Sequence, residues 1–231
     1  MLNESMISRY WLINWNNCYS FYERRKSNII KRIFDFFASF IGLIVISPLL
    51  LLIAIFIKID SKGPIIFKQK RVGKDEKLFT IYKFRTMVEN AENKGSRYYV
   101  DKNDTRITRV GSILRKTSLD ELPQLYNVLK GDMSLVGPRP TLKYQVDEYD
   151  DFQKRRLEVK PGITGWAQIN GRNDLTWPEK IKLDVWYVDN RSFFLDLKIL
   201  FKTLIILFSE KVYSDSCFDH HYDDEEVLNI E

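Results

Sequence analysis

Between Phe36 and Ile57 the chain reads FFASFIGLIVISPLLLLIAIFI, 22 residues without a charge. A helix needs about 20 apolar residues to cross a bilayer core, and this is the one stretch of the sequence that qualifies. Ser47-Pro48 interrupts it. Proline removes a backbone donor and its ring crowds the preceding turn, so a bend is expected there. A kinked span and a re-entrant hairpin both satisfy the pattern.

The flanks favour the hairpin. Arg24, Arg25, Lys26, Lys31 and Arg32 precede the segment, and Lys58, Lys62, Lys68, Lys70 and Arg71 follow it. Positive charge marks the cytoplasmic side of a membrane segment, and here both ends carry it. Folded back at Ser47-Pro48, each half would reach about 14–18 Å, roughly half of a bilayer core. The Ser47 hydroxyl could then serve a carbonyl freed by the break.

The chain has 231 residues, enough for one substantial domain or two small ones, and a net charge of +5. Basic residues crowded around an apolar segment point to a phosphate or lipid partner rather than to nucleic acid. Cys18 and Cys217 lie near opposite ends and form no CxxC pair, which excludes a disulfide framework or a cysteine zinc site and suits a reducing compartment. The apolar run starts late, lacks a small-residue cleavage motif and is followed by lysines, so it is not read as a secretory signal.

Four regions are expected: an N-terminal extension over 1–28, a membrane helix over 29–60, a cytosolic catalytic domain with interfacial helices over 61–210, and an acidic tail over 211–231. Tyr10, Trp11, Trp15, Tyr19, Phe21 and Tyr22 with the basic cluster after them suit either a headgroup layer or an ordinary packed segment. Asp35, at the mouth of the apolar run, is read as paired with a neighbouring cation. Ile65–Phe67 and Leu78–Tyr82 flank the turn composition of Gly73–Glu76 and predict a β-hairpin. Residues 89–105 read as an exposed connection.

The spacing of Leu119, Leu122, Leu125, Tyr126 and Leu129 predicts a helix, with Ser118 as its N-cap, Glu121 completing a capping box and Gly131 as its stop. Asp120 and Glu121 would then sit in its first turn. Gly137-Pro138-Arg139-Pro140 is an Arg-bearing loop stiffened by prolines. Residues 141–159 are expected to be helical, Lys160–Trp166 opens a second glycine-punctuated loop, and Phe193–Phe208 reads as a membrane-apposed or half-buried helix. His220 and His221 lack spaced partners for a metal site.

The central chemistry is an acidic pair beside arginines on rigid loops, Arg115, Arg139 and Arg172. Guanidinium forks suit phosphate oxygens. Adjacent carboxylates can hold a Mg²⁺ that keeps waters and bridges a substrate phosphate. An Asp-Glu pair at a helix start has a plainer explanation in capping and the helix dipole; its weight comes from the loops and the apolar segment around it.

Residues 111–140, GSILRKTSLDELPQLYNVLKGDMSLVGPRP, resemble the signature of the bacterial sugar transferases, monotopic polyprenyl-phosphate phosphoglycosyltransferases that start surface glycan synthesis. The likeness extends back through Lys31–Asp35, Ser47-Pro48 and Tyr82–Met87. It runs forward through Lys160–Gln168 and Asn170–Arg172 to Leu183–Tyr187, covering about residues 29–205.

The resemblance implies an α+β, mostly helical, monotopic membrane protein. Its helix-break-helix hairpin would enter and leave the cytoplasmic leaflet of the inner membrane at Ser47 and Pro48, and its cytosolic catalytic domain would carry a small β-hairpin. It implies transfer of a sugar-1-phosphate from a UDP-sugar to undecaprenyl phosphate with release of UMP. Asp120 matches the nucleophile that carries the phosphosugar, and Glu121 a Mg²⁺ ligand beside it. Arg139 matches a phosphate-binding position, Arg115 and Arg172 are expected nearby, and Lys83, Arg85 and Asp184 fall in matching motifs. An oligomer is compatible with this reading. Many relatives carry further helices and another domain ahead of the catalytic part, so the chain resembles the small form. The rival readings are a catalytically silent membrane scaffold, a peripheral nucleic-acid binder and a polytopic transferase. The intact Asp-Glu pair and Arg loop argue against the first, the absence of any nucleic-acid motif against the second, and the single apolar segment against the third.

Overall fold

The computed structural model describes residues 4–89, 91, 104–171 and 174–207, with side chains from residue 28 onward. Helix α1 runs from Glu4 to Asp60 without interruption in its helical backbone, so the N-terminal extension and the apolar segment are one element. It is also the one helix, among the described residues, long and apolar enough over Asn28–Asp60 to cross a membrane. Pro48 cannot donate to the carbonyl one turn back, that of Ile44, and the Ser47 hydroxyl donates to that oxygen instead at 2.8 Å.

Both ends of the apolar run are fastened to one domain. At the start, the two terminal nitrogens of Arg32 donate to the carbonyls of Val128 and Leu129 at 2.6 and 2.9 Å. The Asp35 carboxylate accepts from the Leu135 backbone at 3.2 Å. Asp35 is thus held by a backbone N–H, while neighbouring Lys31 pairs with Asp196 at 2.6 Å. At the far end, Ile53 and Ile57 are buried against Phe84 and Leu114, and Asp60 accepts from the Val110 N–H at 3.0 Å. The opposite face stays bare: Ile44, Val45, Leu51 and Ile59 are all exposed.

The hairpin is present. Strands β1 (Ile66–Val72) and β2 (Leu78–Phe84) pair antiparallel, with Ile66 opposite Phe84 and Val72 opposite Leu78. Helix α2 (Arg109–Thr117) follows, capped by the Thr108 hydroxyl, which accepts from the Gly111 N–H. Gly111 lies so close to β2's continuation that an added Cβ would stand 2.0 Å from the Thr86 carbonyl oxygen.

The helix expected from Leu119 onward forms differently. Ser118 takes a left-handed conformation (φ 56°, ψ 18°) and closes α2, and its side chain makes no cap. Leu119–Glu121 is a tight 3-10 turn, and helix α3 is limited to Gln124–Lys130. Pro123 explains the difference, because a helix begun at Leu119 would need its missing N–H. Three-residue spacings take over instead: Leu122 donates to Leu119, and Tyr126 to Pro123. Gly131 ends α3 at φ 98°, as expected of a left-handed stop.

Strand β3 (Ser134–Val136) pairs in parallel with β4 (Gly162–Thr164), which sits inside the stretch expected to be loop. Between them lie short helices α4 (Lys143–Asp147) and α5 (Asp151–Lys154) and a 3-10 turn over Arg155–Glu158. Helices α6 (Trp166–Ile169), α7 (Trp177–Asn190) and α8 (Phe193–Leu207) complete the chain. Phe194, Phe201, Leu204 and Ile205 are exposed along α8. Most of the predicted connection over 89–105, Arg172 and the His pair with its acidic surroundings lie outside the described residues.

Candidate active site

Three elements meet at the acidic pair. In β2, Phe79, Ile81 and Lys83 share one face by two-residue alternation. The first two are buried with Val128 and Met133, and Lys83 carries that face to the Leu119–Glu121 turn. Asn127, fully buried on α3, sets the spacing: its amide donates to the Thr80 carbonyl at 2.7 Å and accepts from the Tyr82 N–H at 3.1 Å. The third element is the loop Gly137–Pro140, which brings Arg139.

Glu121 is the junction. Its Oε1 accepts from Lys83 Nζ at 2.8 Å and from Arg139 Nη2 at 2.9 Å, while its Oε2 has no partner among the described residues. Burial pushes this carboxyl up, but the Arg139 and Lys83 charges and their hydrogen bonds outweigh it and hold Glu121 well below the usual carboxylate range. Asp120, next to it, has no hydrogen-bond partner among the described residues. Burial, then the Glu121 charge, push its pKa up to about 6 against the pull of Lys83, Arg115 and Arg139. Arg115, on α2, is steadied by its Nε donating to Thr86 Oγ1 at 2.9 Å.

The structure therefore gathers Asp120, Glu121, Lys83, Arg115 and Arg139, and it engages two other motif residues, Arg85 and Asp184, in contacts elsewhere. Arg85 is buried, and its guanidinium donates to the carbonyls of Ser61 and Lys62 and to the Ser61 hydroxyl, closing the exit from α1. Asp184 is buried on α7 and pairs with Arg156 at 2.5 Å. Arg172 lies outside the described residues. Sequence reading missed Asn127 and Arg156. Asn127 lies within the 111–140 signature but carries no charge to single it out, and Arg156 belongs to a charged run, 141–159, that holds no motif.

The donor set fits Mg²⁺. Two adjacent carboxylates are present, one firmly ionised with a free oxygen and one without any hydrogen bond, and no group of three or more metal-ligating side chains occurs among the described residues. One or two carboxylates with room for water and substrate phosphates is the usual magnesium arrangement and unlike a zinc site. The surrounding cations Lys83, Arg115 and Arg139 can draw in a phosphoryl group, which a carboxylate without hydrogen bonds is free to attack.

Because folding raises the Asp120 pKa, the stability linked to this group is present below its unfolded value near pH 4 and lost as pH rises through about 6. In EDTA at pH 8, Asp120→Asn is accordingly expected to stabilise the protein by about 1–3 kcal/mol, with the gain gone at pH 4. Thermal unfolding of both proteins at the two pH values checks this; equal melting temperatures at pH 8 would contradict it.

A family model described as Bacterial sugar transferase matches residues 26–210. The chain is 52% identical over 176 residues to the uncharacterized sugar transferase EpsL of Bacillus subtilis, covering 76% of this chain and 86% of that one. It is 47% identical to the UDP-N-acetylgalactosamine-undecaprenyl-phosphate N-acetylgalactosaminephosphotransferase of Aeromonas hydrophila, covering 76% and 43%. It is 44% identical to the undecaprenyl-phosphate galactose phosphotransferase of Salmonella typhimurium, covering 78% and 40%. The chain thus spans less than half the length of these two phosphotransferases.

Proposed function

The chain belongs to the bacterial sugar transferase family, and from that premise we propose that it is a phosphoglycosyltransferase moving a sugar-1-phosphate from a UDP-sugar to undecaprenyl phosphate in surface polysaccharide synthesis. The observation that carries this reading is the unbonded Asp120 carboxylate beside a Glu121 clamped by Lys83 and Arg139. Relatives whose names include undecaprenyl-phosphate phosphotransferase support the acceptor.

Asp120 attacks the phosphorus that bears the sugar. A bond forms from its carboxylate oxygen, and the bond to the bridging diphosphate oxygen breaks, its electron pair leaving with UMP. The resulting acyl phosphate holds the sugar-1-phosphate, so a reaction between two bulky anions becomes two steps. An oxygen of undecaprenyl phosphate then attacks the same phosphorus, and the Asp120 carboxylate returns unchanged. Arg139 and Arg115 hold and neutralise donor phosphate oxygens, and Lys83 keeps Glu121 ionised and in place. Asp120 and Glu121 would hold Mg²⁺, which when bound supplies positive charge against the diphosphate and the departing UMP.

The lipid acceptor requires a membrane, and α1 meets that need. A straight span would carry its two ends to opposite sides of a bilayer, yet Arg32 and Asp35 at one end and Ile57 and Asp60 at the other bind the same domain. This supports a helix that dips into the cytoplasmic leaflet of the inner membrane with Ser47-Pro48 deepest, its Ile44 carbonyl satisfied by Ser47. The exposed apolar residues of α8 would lie along the same surface.

With detergent-solubilised protein, Mg²⁺ and undecaprenyl phosphate, one member of a panel of UDP-sugars is expected to yield UMP, with at least about a thousandfold loss on Asp120→Asn. Turnover retained by that variant would remove Asp120 from the chemistry. Membrane-impermeant thiol reagents applied to intact spheroplasts should label neither Cys18 nor Cys217, and both after permeabilisation. Labelling of one alone before permeabilisation would establish a span.

A further inference from the structure

The loop that presents Arg139 is gripped almost entirely through its carbonyls. Pro138 and Pro140 have no N–H to offer, and four successive oxygens each accept a bond. Pro138 accepts from the Gly162 N–H at 2.9 Å, Arg139 from Arg156 Nη2 at 3.0 Å, Pro140 from Arg71 Nη1 at 3.4 Å, and Thr141 from the Val72 N–H at 2.9 Å. Only one of these donors is a fully buried charge. Arg156 is 2% exposed, and its Nη2 also donates to Asp184 at 2.5 Å while its Nη1 donates to the Tyr149 hydroxyl at 2.7 Å. Its guanidinium lies 5.8 Å from the Tyr149 ring centre and 5.3 Å from that of Trp177.

This pair is a poor device for stability alone. Taking both charges out of water is costly, and Arg156 Nε and Asp184 Oδ1 remain buried without partners. An apolar pair of similar volume would fill the space at least as well. What an apolar pair lacks is a donor aimed at the Arg139 carbonyl. We infer that Arg156 is a positioning residue: oriented by Asp184, it holds the Arg139 backbone so that the guanidinium meets Glu121 and the donor phosphate. The inference rests on the reading of Arg139 as a donor-phosphate ligand.

Arg156→Met keeps the apolar stem between Tyr149 and Trp177 and removes the donors. In the full detergent-solubilised chain with Mg²⁺, it is expected to weaken UDP binding, measured by calorimetry, about 5–20-fold, while the circular dichroism spectrum is unchanged. On an Arg139→Ala background the same substitution should change the affinity less than about twofold, because its effect runs through Arg139. Asp184→Asn serves as a second variant, with a loss of about 2–5-fold that also vanishes on that background. If Arg139→Ala alone leaves UDP binding intact, the phosphate reading of Arg139 falls. If Arg139→Ala weakens binding but the Arg156 and Asp184 variants do not, or cost the same on both backgrounds, the positioning role is overturned.

Discussion

One carboxylate oxygen, Glu121 Oε1, joins the parts of this protein that otherwise have separate reasons to fold. Lys83 reaches it from a strand, Arg139 reaches it from a proline-stiffened loop, and the backbone beneath it is a 3-10 turn too short to stand alone. Two cations on one oxygen keep Glu121 ionised despite burial. Its charge in turn helps raise Asp120, so the two neighbouring acids are shifted in opposite directions by their surroundings. Such divergence between adjacent titrating groups is what a site needs if one is to hold charge and the other to react.

The apolar helix shapes the rest. Asp35 and Asp60, near the two ends of the run, accept from the backbone N–H groups of Leu135 and Val110, and Arg32 covers the terminal carbonyls of α3, whose preceding turn carries the acidic pair. The apolar helix and the site geometry are therefore mechanically continuous. The Asp196 carboxylate extends this continuity, accepting from Lys31 of α1 and from the Tyr187 hydroxyl at 2.6 Å each.

Long-pattern features were legible in the residues. The apolar run, the β1–β2 hairpin, the Gly131 stop and helix α8 each follow from composition or periodicity and stand close to their expected places. Ser118 misled because S-x-x-E is a capping signature only when the helix can continue, and Pro123 prevents that. Strands β3 and β4, three residues each, are too short for alternation to register. Arg85 and Asp184 lie within motifs, yet whether a motif residue faces substrate or backbone depends on tertiary contacts: Ser61 and Lys62 claim the first, and Arg156 claims the second. Arg156 itself, in a run of charges, gave no sign of being buried.

The proposed transfer passes through a covalent bond at Asp120. Intact-protein mass spectrometry after mixing the enzyme with a productive UDP-sugar and Mg²⁺, without lipid, tests it most directly. The predicted result is a mass increase equal to one sugar-1-phosphoryl group, mapped to the peptide containing Asp120 and discharged by adding undecaprenyl phosphate. UMP formed with lipid present, but with no adduct trapped in its absence and no adduct at early times, would contradict a two-step transfer and leave Asp120 a different part in a direct one.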